Sequence, residues 1–221
     1  DMGARASDSR IQRLSETIGD WLALMRLSNL PTVLSNALTG LALGVTATGA
    51  TALPNVPTQG LPLLYETLAR HWVLLLAASL FYVGGMILND VTDLRADQRD
   101  RPERPLPAGR ISISAARLSV VACLGLGVGL TLGYGGKTLT AALLLVGAIA
   151  LYNLLHKRFA GAVIFMGLCR ALLYALAGSV FALNRPDAWG WLIGGAMAVV
   201  GLQVIGVTWL ARRENEPAPP S

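Results

Sequence analysis

Residues 72–97 read WVLLLAASLFYVGGMILNDVTDLRAD: seventeen uncharged, mostly apolar residues that give way at Asn89 to a run of carboxylates. As a helix rising about 1.5 Å per residue, the apolar part covers roughly 25 Å, close to a hydrocarbon core of about 30 Å. A membrane-crossing helix with a charged cap is the economical reading. Five further apolar runs of similar length lie at 32–49, 118–136, 138–156, 159–184 and 188–211. The expected fold class is therefore all-α, a polytopic transmembrane helical bundle with six spans. Composition agrees: 53% of the 221 residues are hydrophobic and only 14% charged, too few polar side chains to cover a water-soluble globule. Cys123 and Cys169 both fall inside apolar runs, which excludes a disulfide scaffold.

The net charge of +5 is distributed unevenly. Arg5, Arg10, Arg13 and Arg26 precede the first span, and Arg95, Arg99, Arg101, Arg104 and Arg110 lie between the second and third. Lys157 and Arg158 separate the fourth and fifth, while Arg212 and Arg213 follow the sixth. The remaining connections hold only Arg70, Lys137 and Arg185. By the positive-inside rule this alternation predicts that both termini and the acid-rich loop are cytoplasmic. Nucleic acid is not an expected partner, since the basic residues are accounted for by topology. Before the first span, Ile11, Leu14, Ile18, Trp21 and Met25 recur at helical spacing opposite Arg13, Glu16 and Asp20, the pattern of an interfacial helix or an ordinary packed one. The expected organisation is a cytoplasmic amphipathic lead-in over 1–30, a transmembrane domain over 31–211 and a Pro-rich cytoplasmic tail over 212–221. A short separate helix is expected around Leu63 to Arg70.

The chemistry concentrates in Asn89-Asp90-Val91-Thr92-Asp93-Leu94-Arg95-Ala96-Asp97 and in Arg101-Pro102-Glu103-Arg104-Pro105-Leu106-Pro107. On a helix Asn89, Asp93 and Asp97 stack at i, i+4 and i+8, about 6 Å apart, where like charges repel until a cation intervenes. Hard oxygen donors suit Mg²⁺, which binds through one or two carboxylates plus phosphate oxygens. The string should arise by chance roughly three times in ten thousand chains of this composition. The spacing reads as half of a magnesium diphosphate site, with Asn89, Asp93 and Asp97 as metal ligands.

Three other polar positions stand inside apolar runs. Arg170 is costly in mid-span and is expected to face the bundle interior, as a ligand contact or an interhelical hydrogen bond, with Tyr174 one turn on. Asn36 and Gln203 are expected to bond neighbouring helices, Asn36 with the added option of lining a pocket. Gly125, Gly127, Gly129 and Gly133 form a stripe that predicts close helix packing. His71 and His156 lack a partner at metal-ligand spacing.

The Asn89–Asp97 string and the Arg-Pro loop after it resemble the first Asp-rich motif of the UbiA superfamily of intramembrane prenyltransferases. Arg26-Leu27-Ser28-Asn29-Leu30-Pro31-Thr32 with Asn36 is similar to that family's entry to its first helix, and Tyr152 with Lys157-Arg158 to its loop between helices 4 and 5. Gly167-Leu168-Cys169-Arg170 and Val207-Thr208-Trp209-Leu210-Ala211-Arg212 are similar to stretches of a UbiA-like branch related to the EboC proteins. The resemblance implies a bundle of about nine membrane-crossing helices, so the C-terminal ones are expected to be missing from these 221 residues. It also implies Mg²⁺-dependent transfer of a prenyl group from a prenyl diphosphate to an often aromatic acceptor. Asp93, Asp97, Lys157 and Tyr152 would then be catalytic, Tyr152 through its ring face toward an allylic cation. Arg26, Asn36, Asn89, Arg104, Arg170 and Tyr174 would bind substrate, with Arg26, Lys157 and Arg104 as candidate clamping cations on the diphosphate. Where the family carries a second Asp-rich motif, Ala211-Arg212-Arg213-Glu214-Asn215-Glu216-Pro217 has no aspartate, only Glu214 and Glu216. That departure keeps a second expectation open, a UbiA-derived protein that binds or translocates an isoprenoid or another hydrophobic metabolite without chemistry.

Overall fold

A computed structural model of the chain describes residues 2–47, 61–157, 160–181 and 186–214. All regular structure among them is helical. Seven α-helices follow in order: α1 (Met2–Met25), α2 (Leu30–Ala47), α3 (Leu61–Asp100), α4 (Ile113–Thr131), α5 (Gly136–Leu155), α6 (Val163–Gly178) and α7 (Pro186–Glu214). Six helical stretches are long and apolar enough to cross a bilayer: Leu27–Ala47, Tyr65–Asp100, Ile113–Tyr134, Gly136–Leu155, Ile164–Phe181 and Gly190–Leu210. The chain is thus an integral, multi-pass membrane protein, with spans close to those the apolar runs predict. Arg158 and the tail beyond Glu214, including Glu216, lie outside the described residues.

The largest difference concerns α3. The expected short helix near Leu63–Arg70 is not separate, because α3 runs unbroken for 40 residues, roughly 60 Å. Pro62 stands in its first turn, where a missing N–H costs nothing, and no proline follows before Pro102. The change of polarity near Arg70 marks a change of surroundings and not a change of backbone. The same helix carries the acidic string out of the apolar layer to Asp100. After it the chain turns through Arg104, Leu106 and Ile111 into α4, whose N-cap Ser112 accepts from Ala115 N at 3.1 Å.

Between helices in lipid there is little hydrophobic drive, so close backbone approach over small side chains does the work. The central helix is α6, packed on α2, α5 and α7, while α3 packs on α2 and α4. A Cβ on Gly40 of α2 would stand 2.9 Å from the Tyr174 carbonyl oxygen, and one on Gly167 of α6 2.7 Å from the Gly201 carbonyl oxygen of α7. Ala37, Ala77, Ala78, Ala142, Ala148 and Ala177 fill the core around them. The glycine stripe of α4 behaves differently from expectation. Only Gly127 makes a tight contact, with a Cβ there 2.7 Å from the Phe81 ring, whereas Gly125, Gly129 and Gly133 face open space. Gln203 likewise stands exposed on α7. Of the six spans the one on α7 is the least buried, with 6% of its apolar stretch buried against 61% for the one on α6.

The lead-in helix, the α3–α4 loop and the α5–α6 junction meet at one end of the bundle. Arg110 donates to both oxygens of Asp20 at 2.9 and 3.0 Å, joining loop to α1. Leu24 of α1 is buried with Leu106, Ile111 and Ile87 in a small cluster beneath that ion pair. Leu14 and Ile18, higher on α1, remain exposed. These contacts clamp the Arg-Pro loop over the acidic end of α3.

Candidate functional site

Every turn of α3 beyond Leu88 presents a polar group, and the helix distributes them in two directions. Asp90 and Asp97 are seven residues apart and therefore fall within about 20° of each other. Both are buried, with 6% and 8% exposure, so each carboxylate requires a countercharge. Arg26, at the junction of α1 and α2, reaches Asp90 at 2.6 Å. Arg104 from the clamped loop reaches Asp97 at 2.8 Å and stands 3.8 Å from Asp90. Asp93 points instead to the C-terminal end of α5, where Lys157 Nζ lies at 2.6 Å and His156 Nε2 at 3.0 Å. Asp93 and Asp97 thus meet different cations, although their i+4 spacing puts them on neighbouring positions. His156 Nδ1 sits against the Tyr152 and Asn153 carbonyls at 3.2 and 3.1 Å, and its ring stacks on Tyr152 with centroids 5.3 Å apart.

Beneath these ion pairs lies a cavity of about 270 Å³ between α2, α3, α5 and α6. Its polar end is lined by Arg26, Asn29, Asn89, Tyr152, Asn153 and Arg170, and its deeper wall by Val33, Phe81, Leu145, Ile149 and Leu173. Arg170 makes the interhelical hydrogen bond, donating from Nη1 and Nη2 to Thr32 Oγ1 at 3.3 Å, and it also lines the cavity. Arg26, Asn89, Tyr152 and Arg170 are therefore brought together as expected of one pocket. Asn36 and Tyr174 are not. Asn36 is half-buried on α2 away from the cavity lining, and Tyr174 is buried where its backbone meets Gly40.

Four residues of the site carry no weight in the sequence reading: Asp90, His156, Asn153 and Tyr82. Asp90 stands in the acidic string, but the i, i+4, i+8 reading passes over it. Asn153 donates from Nδ2 to Ile149 O at 2.8 Å, leaving its buried Oδ1 without a partner among the described residues. Tyr82 donates its hydroxyl to the Arg26 carbonyl at 2.9 Å. Among the described residues no group of three or more His, Cys, Asp or Glu side chains is placed to hold a metal alone. The oxygens of Asn89, Asp93 and Asp97 have the chemistry for Mg²⁺ only if ligand oxygens complete the set.

Fold and site together define a helical membrane protein with a cation-rimmed, apolar-floored pocket at one end of its bundle. The chain belongs to the UbiA prenyltransferase family, whose pattern matches residues 33–216. Relatives named digeranylgeranylglyceryl phosphate synthase include those of Sulfolobus acidocaldarius, 32% identical over 120 residues (54% of this chain, 41% of that protein), and Methanoculleus marisnigri, 32% identical over 151 residues (65% and 48%). The chain spans under half the length of these two relatives. A solved structure concerning digeranylgeranylglyceryl phosphate synthase in membranes shares the fold, with a TM-score of 0.58 and 20% identity over 79% of this chain and 61% of that one.

Proposed function

We propose that the chain is the diphosphate-binding part of a UbiA-type prenyltransferase, moving a prenyl group from a prenyl diphosphate to an acceptor hydroxyl. The observation that carries this is the pocket itself: three cations, Arg26, Arg104 and Lys157, interleaved with Asp90, Asp93 and Asp97 above an apolar chamber. That sequence of polar rim and greasy floor fits an amphiphile with a charged head. The relatives' names favour a glycerol-phosphate type of acceptor over the aromatic one that the superfamily resemblance implies. In this reading residues 31–211 form the transferase body and residues 1–30 lie along the cytoplasmic face, with the acidic end of α3 on that side.

Asn89, Asp93 and Asp97 would hold Mg²⁺, which when bound supplies Lewis-acid neutralisation of the leaving group. Arg26, Arg104 and Lys157 would bind the remaining diphosphate oxygens, Arg through paired N–H donors. The C1–O bond of the prenyl diphosphate breaks with its electron pair passing to the diphosphate. The acceptor oxygen then bonds to C1 and gives up its proton to the diphosphate or to solvent. Tyr152 lines the cavity beside its stack on His156, and an aromatic face turned to an allylic cation would stabilise it by about 0.5–2 kcal/mol.

The test is diphosphate release from prenyl diphosphates, supplied with glycerol-phosphate acceptors, by membranes containing the protein. Release should require Mg²⁺, and Asp93→Ala should lower it by about 10²–10³-fold, as loss of a group that stabilises developing charge does. Binding of prenyl diphosphate with no release under any acceptor, and no effect of Asp93→Ala, would replace this reading by that of a non-catalytic isoprenoid carrier.

A further inference from the structure

We propose that His156 is a positioning residue that keeps Asp93 aimed while Lys157 passes from that carboxylate to the ligand's diphosphate; this rests on the prenyltransferase reading above. That reading gives Lys157 two engagements that compete for one ammonium group. In the structure Lys157 Nζ lies 2.6 Å from Asp93 Oδ1, and on binding it has to reach diphosphate oxygens. Whatever it gives the diphosphate is withdrawn from Asp93, a partly buried carboxylate that needs a countercharge or a hydrogen-bond donor of its own. A second donor on the same oxygen removes the conflict.

His156 Nε2 is that donor, 3.0 Å from the same Oδ1. A carboxylate oxygen only accepts, so the imidazole donates. The two partners differ in freedom. Lys157 carries its charge on a flexible four-carbon stem with 45% of the side chain exposed, whereas the His156 side chain is 14% exposed and held from several directions. Its Nδ1 lies against the Tyr152 and Asn153 carbonyls, its backbone N–H donates to Tyr152 O at 2.9 Å, and its ring stacks on Tyr152 with 23° between the planes. A fixed partner and a mobile one, consecutive residues at the end of α5, thus share one oxygen of Asp93. When the mobile one leaves, the fixed one preserves the direction in which the carboxylate meets a metal. An outer partner that orients a ligand in this way is worth about 10–100-fold in metal affinity.

The test is a Mg²⁺ titration of geranylgeranyl thiolodiphosphate binding, an analogue that resists ionisation, on membranes of the wild type, Asp93→Ala, His156→Gln, His156→Phe and His156→Met. Gln keeps a side-chain N–H for Asp93 and loses the ring, Phe keeps the stack on Tyr152 and loses the donor, and Met loses both. The Phe and Met variants should each raise the Mg²⁺ concentration for half-maximal binding by about 10–100-fold, while Gln stays close to the wild type. A histidine that serves packing alone gives another order, with Phe, which preserves the stack, closest to the wild type. That order, equal damage in all three His156 variants, or no change in any of them overturns the proposal. If Asp93→Ala still removes the Mg²⁺ dependence in those cases, the transferase reading stands. No binding of the analogue by the wild type at any Mg²⁺ concentration overturns both.

Discussion

Arg26 holds φ 47° and ψ 48°, the only left-handed non-glycine residue among those described. That conformation costs an L-residue roughly 1–2 kcal/mol, and it persists here because both ends of the residue are held. Tyr82 fixes the carbonyl and Asp90 fixes the guanidinium. Arg26→Ala and Arg26→Gly should both lower the thermal unfolding midpoint in detergent, since each leaves the buried Asp90 with only the more distant Arg104. The glycine variant should retain about 1 kcal/mol more, because glycine adopts positive φ freely. Equal midpoints would show that the backbone stores no strain. Arg26 is legible in the sequence as a cation at the mouth of the first span, but its conformation is not, since no glycine or asparagine announces it. Asp90 was hidden for a related reason. Reading the acidic string at i+4 favours Asn89, Asp93 and Asp97, and only packing against α1 and the Arg-Pro loop makes the heptad pair Asp90 and Asp97 the buried one.

At the level of helices, the apolar runs locate the spans well because length and polarity decide them, while contacts between spans depend on which face each small residue shows. Gly40 and Gly129 illustrate the difference. Both sit in apolar helices, yet a Cβ at Gly40 meets the Tyr174 carbonyl at 2.9 Å and Ala177 Cβ at 3.0 Å, and one at Gly129 meets nothing. Gly40→Val should therefore destabilise the α2–α6 contact by about 1–3 kcal/mol, seen as a lower midpoint or loss of the monodisperse peak in detergent. Gly129→Val should change neither. A similar loss in both would mean that helix propensity and not packing governs these positions. The continuity of α3 was illegible because a run of good helix formers through a polarity change looks like a boundary when only hydropathy is weighed.

For the molecule as a whole, the charge alternation predicts one basic end, and the structure gathers the corresponding segments together at one end. The sidedness of that end is open to labelling. In a cysteine-free background, Ala108→Cys in the α3–α4 loop should react with a membrane-impermeant maleimide in inside-out vesicles, and Gly133→Cys at the opposite end should not. The reverse pattern would invert the orientation. Around that end the surrounding leaflet offers phosphate groups in great excess, nearly all of them phosphodiesters with a single charge. Bare guanidinium and ammonium groups at this height would collect them. With Asp90, Asp97 and Asp93 already seated on Arg26, Arg104 and Lys157, an arriving headgroup merely exchanges one unit of negative charge for another. A ligand bearing several charges gains from the exchange. On the transferase reading proposed above, the carboxylates would thus act as a threshold, keeping a rare polyanionic lipid from being crowded out by the common ones of the bilayer in which the protein sits.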